Sequence, residues 1–311
     1  MVAAEWARPA AAGWLRSRPR LRAALQRNVT GWLFVLPALI GFCVFYLAPT
    51  LRAVEISLTD WNLMRAPKFV GFDNYLKLID DPRFWQSVRI TIAYVLYNIP
   101  LQTVLGLVLA VLMDRLSRSV LLRAVVIAPY LLSNVIAALI WLWLLDPLLG
   151  MTNAFLGLIG IGRQSFLTTP DVAIISIAGI NIWRHVGLTA LLFYAGLQAI
   201  PRSLQEAARL EGAGEWTVFR RITLPLLRPV LVFVMVTSVI GSFQIFDTIA
   251  VTTQGGPANS TSAIIWYVYE NAFRFSKMGY ASAMSVVLFA ALIIVTLLQM
   301  RALRAGSSDL E

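Results

Sequence analysis

The sequence predicts an all-α membrane protein of six transmembrane helices, and three observations carry that reading. The chain of 311 residues is 59% hydrophobic and only 14% charged, whereas soluble domains run to about 45–50% apolar and about 25% charged. Four stretches, 28–51, 90–113, 124–145 and 278–300, contain no Asp, Glu, Lys or Arg. Each is long enough to cross a bilayer core, which needs roughly 20 apolar residues per helix. Two more, 172–200 and 229–252, carry a single charge each, Arg184 and Asp247. Short strands of alternating polarity are absent, which excludes a β-barrel.

Charge sets the orientation. Six spans put both termini on one face. The segments on that face, 1–29, 114–123, 201–228 and 301–311, hold 16 of the 26 basic residues against seven acidic ones. The opposite loops, 52–89, 146–171 and 253–277, hold nine basic and eight acidic residues. The positive-inside rule therefore places both termini in the cytoplasm. The net charge of +10 is mostly this topology signal, so nucleic acid is excluded as a partner.

The elements follow in order. Residues 1–29 form a basic cytoplasmic segment, 30–303 a membrane domain, and 304–311 a cytoplasmic tail. The arginines before the first span mimic a signal peptide. The span runs into Pro49–Arg52 without a small-residue cleavage motif, so it reads as a retained helix. Cys43, the single cysteine, excludes an intrachain disulfide and a cysteine metal cluster. In the first outer loop Phe69, Phe72, Tyr75, Leu76 and Ile79 recur at three- and four-residue spacing, which suggests a short amphipathic helix at the interface. Loop 146–171 reads as turns plus a short helix, and Gln254–Pro257 opens the third outer loop as a turn.

The polar loop 201–229 is the most informative stretch. Ser203 followed by Glu206 has the spacing of a capping box. A helix Leu204–Leu210 follows, with Glu206 and Arg209 as a surface pair. Gly212 and Gly214 bracket Ala213 and permit a tight reversal. A second helix, Trp216–Thr223, carries Trp216, Phe219 and Ile222 on one face and ends at Leu224–Pro225. Such a helix pair fits a cleft in a partner and transmits the partner's movement to the bundle.

Glu206–Ala207–Ala208, then Gly212, then after nine residues Ile222, Leu224 and Pro225 match the EAA motif at every position. The loop resembles the coupling segment of ABC importer permeases of the carbohydrate-uptake type, close to maltose and glycerol-phosphate permeases. Residues 195–201, 241–247, 255–257 and 69–75 are similar to this family as well, so the resemblance covers roughly 30–303. It implies the type I ABC importer permease fold in a bacterial cytoplasmic (inner) membrane. It implies a second homologous permease, two ATPase subunits and an external solute-binding protein as partners. It also implies that Glu206 faces the ATPase, that Gly212 makes the turn, and that Ala207 and Ala208 permit close approach. No cofactor is expected on this chain; the partner ATPase would use ATP and magnesium, since no phosphate-binding G-x-x-x-x-G-K-[ST] loop is present.

Ionisable residues inside spans usually face a bundle interior or water. Arg184 and Asp247 are read either as a pair across the pathway or, for one of them, as an interfacial side chain that snorkels. His185 is either a packing residue or a ligand. Asn181 and Trp183 precede it; Ser238, Ser242 and Gln244 add polar atoms in the fifth span. The resemblance to maltose-type permeases suggests Asn181, Trp183, His185, Ser238 and Ser242 as sugar-pathway candidates. A catalytic site is not expected, because paired carboxylates and metal clusters are lacking in the spans. The expected function is ATP-driven uptake of a sugar. The alternatives are a phosphorylated polyol such as glycerol 3-phosphate, which Arg184 could meet, and a stand-alone secondary transporter.

Overall fold

Residues 31–116 and 119–302 are described by a computed structural model. The expected basic segment 1–29 and tail 304–311 lie outside the described residues. The chain divides into two units, one ending at Glu55 and one beginning at Ile56. Helix α1 (Gly31–Ser57), all but its last two residues in the first unit, passes through a π-helical turn at Cys43–Leu47. Its large side chains from Trp32 to Leu51 are exposed on every side, which suits a helix whose solvent is lipid.

In the second unit, strands β1 (Thr59–Asp60) and β2 (Lys68–Phe69) pair antiparallel, a hairpin the sequence did not announce. Helix α2 (Asp73–Ile79) forms where the amphipathic pattern predicts. It buries Asn74 and Leu78 and leaves Phe72, Leu76 and Ile79 exposed. Asn74 Nδ2 donates to the carbonyls of Ser57 and Thr59, both at 2.9 Å, which fixes the helix to the hairpin.

Five helices among the described residues are long and apolar enough to span, and a bent pair makes a sixth. Helix α3 (Pro82–Leu116) is the second span. The third, expected as one helix over 124–145, is two: α4 (Val120–Leu131) and α5 (Asn134–Leu144), bent by 92°. The apolar run is continuous, so a hydropathy count cannot see the break. The local chemistry can: Pro129 lacks an N–H, and Ser133 Oγ accepts from the Ile136 amide at 3.2 Å, starting a new helix. Loop 146–171 contains the expected short helix, α6 (Met151–Leu158).

Helix α7 (Pro170–Ala199) is the fourth span and packs mainly on α3. A methyl added at Gly187 would lie 2.0 Å from the Val126 carbonyl oxygen, so only glycine lets α7 meet α4 this closely. After the polar loop, α8 (Arg202–Leu210) and α9 (Glu215–Val218), the fifth span is α10 (Arg228–Phe243), interrupted at 244–246, and then α11 (Asp247–Thr252). Helix α12 (Ile264–Tyr269) follows the Gln254–Pro257 turn, and α13 (Met278–Ala302) is the last span.

At the bundle end away from the polar loop, Asp81 Oδ2 accepts from the hydroxyls of Tyr267 and Tyr280, each at 2.6 Å. Burial opposes charge on Asp81, but these donors outweigh it and hold the carboxyl below its ordinary range. Burial and that carboxylate push Tyr267 up to about 12. The cluster ties the start of α3 to α12 and α13.

Candidate functional site

The polar loop folds as two short helices, and several of its contacts correct the expectation. Pro201, not Ser203, is the N-cap of α8; it sets the extended entry to the helix, and no side chain caps that end. Ser203 lies inside the first turn. Arg209 does not pair with Glu206. It reaches across the reversal to Glu215 Oε1 at 2.8 Å, while Arg115 from the end of α3 holds Glu215 Oε2 at 2.7 Å. The hydrogen bond from Arg209 holds the Glu215 carboxyl below its ordinary range. Gly212 makes the reversal at φ +86°, a region that side chains with a Cβ rarely adopt.

The second helix does not stop at Leu224–Pro225. It passes from α9 into a π-helical turn, Phe219–Thr223, where the Leu224 amide donates to the Phe219 carbonyl. That widened turn accommodates a proline with no amide hydrogen, and a further turn, Leu224–Leu226, leads to α10. The buried side of this segment is Val218, Thr223 and Leu227. Trp216 points outward, 70% exposed, and stacks on Phe219 with ring centroids 5.7 Å apart. Glu206, Ala207 and Gly212 are exposed, and Ala208, Ala213, Phe219, Ile222 and Leu224 are half-buried. The helix pair thus presents a surface with an acidic residue, small residues and an aromatic stack.

The second feature is a cavity of about 370 Å³ among α3, α4, α5, α7, α10 and α11. It lies at the small end of the about 300–1,000 Å³ of small-molecule sites. Asn181, His185, Ser238, Ser242, Gln244 and Asp247 all line it. Trp183 does not; it packs edge-on against Trp141 at 5.5 Å.

Arg184 is absent from the lining, and it does not form the considered pair with Asp247. Its Nε and Nη2 donate to the Leu132 carbonyl at 3.0 and 2.9 Å. Nη2 also lies 3.4 Å from the Tyr130 carbonyl. These are carbonyls freed at the C-terminal end of α4, where a cation is favoured by the helix dipole. Asp247 instead accepts from Asn134 Nδ2 at 2.8 Å, in the first turn of α5. The two charges therefore act on opposite sides of the break in the third span. His185 Nδ1 is 2.9 Å from the Asn181 carbonyl, and Nε2 is 2.9 Å from Arg184 Nη1. A guanidinium only donates, so Nε2 accepts and Nδ1 carries the hydrogen.

The cavity also contains residues that sequence reasoning missed. Tyr94, Asn98 and Gln102 come from α3; Tyr130 and Asn134 flank the break; Thr189, Thr237 and Thr248 complete the wall. Asn98 Nδ2 donates to Ser242 Oγ at 3.0 Å, Gln102 Nε2 to Thr189 Oγ1 at 2.9 Å, and Asn181 Nδ2 to Thr248 Oγ1 at 3.3 Å. A signal was present: Tyr94, Asn98 and Gln102 recur every four residues in an otherwise apolar span, which puts one polar stripe on one helix face.

A bundle of membrane-spanning helices around a polar cavity, with an exposed helix pair at one end, defines a membrane transport component. The comparisons name it more closely. Residues 102–307 match the family model of the binding-protein-dependent transport system inner membrane component, and the chain belongs to that family. It is 33% identical to the trehalose/maltose transport system permease protein MalF of Thermococcus litoralis, covering 87% of this chain and 92% of that one. It is 35% identical to the lactose transport system permease protein LacF of Rhizobium radiobacter, covering 91% and 97%. In fold it is similar to a chain of a bacterial ABC transporter that imports the acidic polysaccharide alginate, with TM-score 0.80, 22% identity, and 93% and 100% covered. The chain is thus a transport permease of the inner membrane, and the six-span fold expected from the sequence is the fold of its neighbours.

Proposed function

We propose that the chain is the permease subunit of an ATP-driven importer that takes up a carbohydrate delivered by an extracytoplasmic solute-binding protein. The observation that carries this reading is the joint presence of two features: a membrane cavity walled by amides and hydroxyls, and a separate exposed helix pair built on the complete EAA pattern. Relatives named for maltose, trehalose and lactose transport support the carbohydrate assignment. Amide and hydroxyl groups suit solutes rich in hydroxyls, and Tyr130 adds an aromatic ring.

In this reading a separate ATPase consumes ATP and magnesium, and two copies of it serve this chain and a second homologous permease. The 201–229 loop and both termini face the cytoplasm, in keeping with the arginine count. Glu206, Ala207, Ala208, Gly212, Ala213, Phe219, Ile222, Leu224 and Pro225 form the ATPase contact. Asn181, His185, Ser238, Ser242, Gln244 and Asp247 line the solute path, and Arg184 and Trp183 hold its walls.

The test is Glu206→Ala in the complete importer. Uptake is expected to fall to background while the variant accumulates and melts like the parent, because Glu206 is exposed and makes no hydrogen bond or ion pair in the described structure. Retained uptake, or purification of the chain without an ATPase, sinks the coupling assignment.

A further inference from the structure

The cavity wall has a chemical sign, and it separates two kinds of solute that this permease family handles. The amide nitrogens of Asn98, Gln102, Asn134 and Asn181 already donate to neighbouring oxygens within the wall. The residues that line the cavity include no lysine or arginine. Asp247 contributes a carboxylate. Arg184 is outside the lining, held on the Leu132 and Tyr130 carbonyls behind His185 and the Tyr130 ring. The His185 nitrogens are occupied by Asn181 and Arg184. Arg184 and Asp247 thus form a dipole with its negative end toward the cavity.

We propose that this cavity accepts uncharged, hydroxyl-rich solutes and turns anionic ones away, with Asp247 as the residue that sets the selection. The proposal deepens the carbohydrate reading and rests on it for the identity of the solute. A hydroxyl can donate to the Asp247 carboxylate beside the bond it already takes from Asn134, whereas a phosphate or sulfonate brings acceptors and a like charge. Asp247 is the charged group that faces the cavity while Arg184 lies outside its lining, so an approaching anion meets the like charge first. Arg184 therefore serves the wall and is no phosphate ligand.

The sign of the cavity can be read without knowing the solute. A cysteine is introduced as Ser238→Cys on a Cys43→Ser background, in the full-length chain in lipid nanodiscs with both faces accessible. Its labelling rates are compared for trimethylammonium-ethyl methanethiosulfonate, a cation, and sulfonato-ethyl methanethiosulfonate, an anion. Each rate is normalised to the same reagent with a free thiol. The cation is expected to react faster by about tenfold at low salt, and the preference should collapse in Asp247→Asn, which keeps the shape and can still accept from Asn134. Equal rates, a preference for the anion, or a preference unchanged by Asp247→Asn overturns the proposal. Protection of the cysteine by maltose or lactose supports both readings. A cation preference that depends on Asp247, without protection by any uncharged sugar, supports the charge selection and overturns the carbohydrate assignment.

Discussion

The polar loop and the membrane cavity use charge in opposite ways. In the loop, Glu215 sits between Arg115 and Arg209, and all three side chains are about half exposed. Such pairs are screened by salt and contribute little stability; they orient the helix pair and leave Glu206 exposed. In the cavity wall, Arg184 is held by backbone carbonyls and Asp247 by an amide. There the same kinds of group fasten a broken helix that the bilayer would otherwise leave unsatisfied. The exposed helix pair keeps its charged groups in solvent, while the wall around the cavity uses its amide donors internally.

That contrast can be broken or sharpened by substitution. The largest effect is expected at Gly187, with Gly212 as its counterpart in the loop. Gly187→Ala places a methyl against the Val126 carbonyl and should cost about 1–3 kcal/mol through overpacking, visible as a fall in melting temperature of the purified chain. Gly212→Ala meets nothing within 4 Å and should cost only about 1–2 kcal/mol, from the left-handed backbone alone. If the loop variant proves the more damaging to the fold, the contrast fails.

Next comes Arg184→Gln, which strips donors from the Leu132 and Tyr130 carbonyls and should destabilise by about 1–3 kcal/mol. Hydrogen exchange should rise at residues 130–136 before it rises elsewhere. Arg184→Lys keeps a charge but loses the two-nitrogen grip on Leu132, so it should fall between the parent and Gln. A Gln variant that melts like the parent, with unchanged exchange at the break, removes the clamp role.

The smallest effect belongs to Glu215. Its carboxyl is held below the ordinary range by Arg209 and then Arg115. The link is therefore fully present above the ordinary carboxylate range and is lost as pH falls through the lowered value. Acidification, or Glu215→Gln at neutral pH, should loosen the 202–226 amides in hydrogen exchange without moving the melting temperature. High salt should mimic both. A large melting shift for Glu215→Gln would place this carboxylate with the wall-type charges.

Much of the fold was legible because its signals are local. Five span positions follow from apolar length, and the Gly212 reversal from a residue type that tolerates positive φ. The helix ends in the polar loop were less legible. Ser203 has the spacing of a cap, yet the helix starts from Pro201 as its N-cap, because the start depends on how the chain leaves α7. The exit past Pro225 depends on a π-helical turn that no propensity reports.

For the cavity, the sequence by itself determined that Asn181, His185, Ser238, Ser242, Gln244 and Asp247 are polar groups inside spans, where polarity is costly and so points to an interior. It could not determine that Trp183 turns to Trp141, or that Tyr94, Asn98 and Gln102 join from α3. Nor could it show that the 92° break supplies carbonyls to Arg184 and an amide to Asp247. Those outcomes were decided by the tertiary structure. Apolar length and residue type act within one helix, whereas the partner of a buried donor or acceptor is whatever another helix brings within about 3 Å.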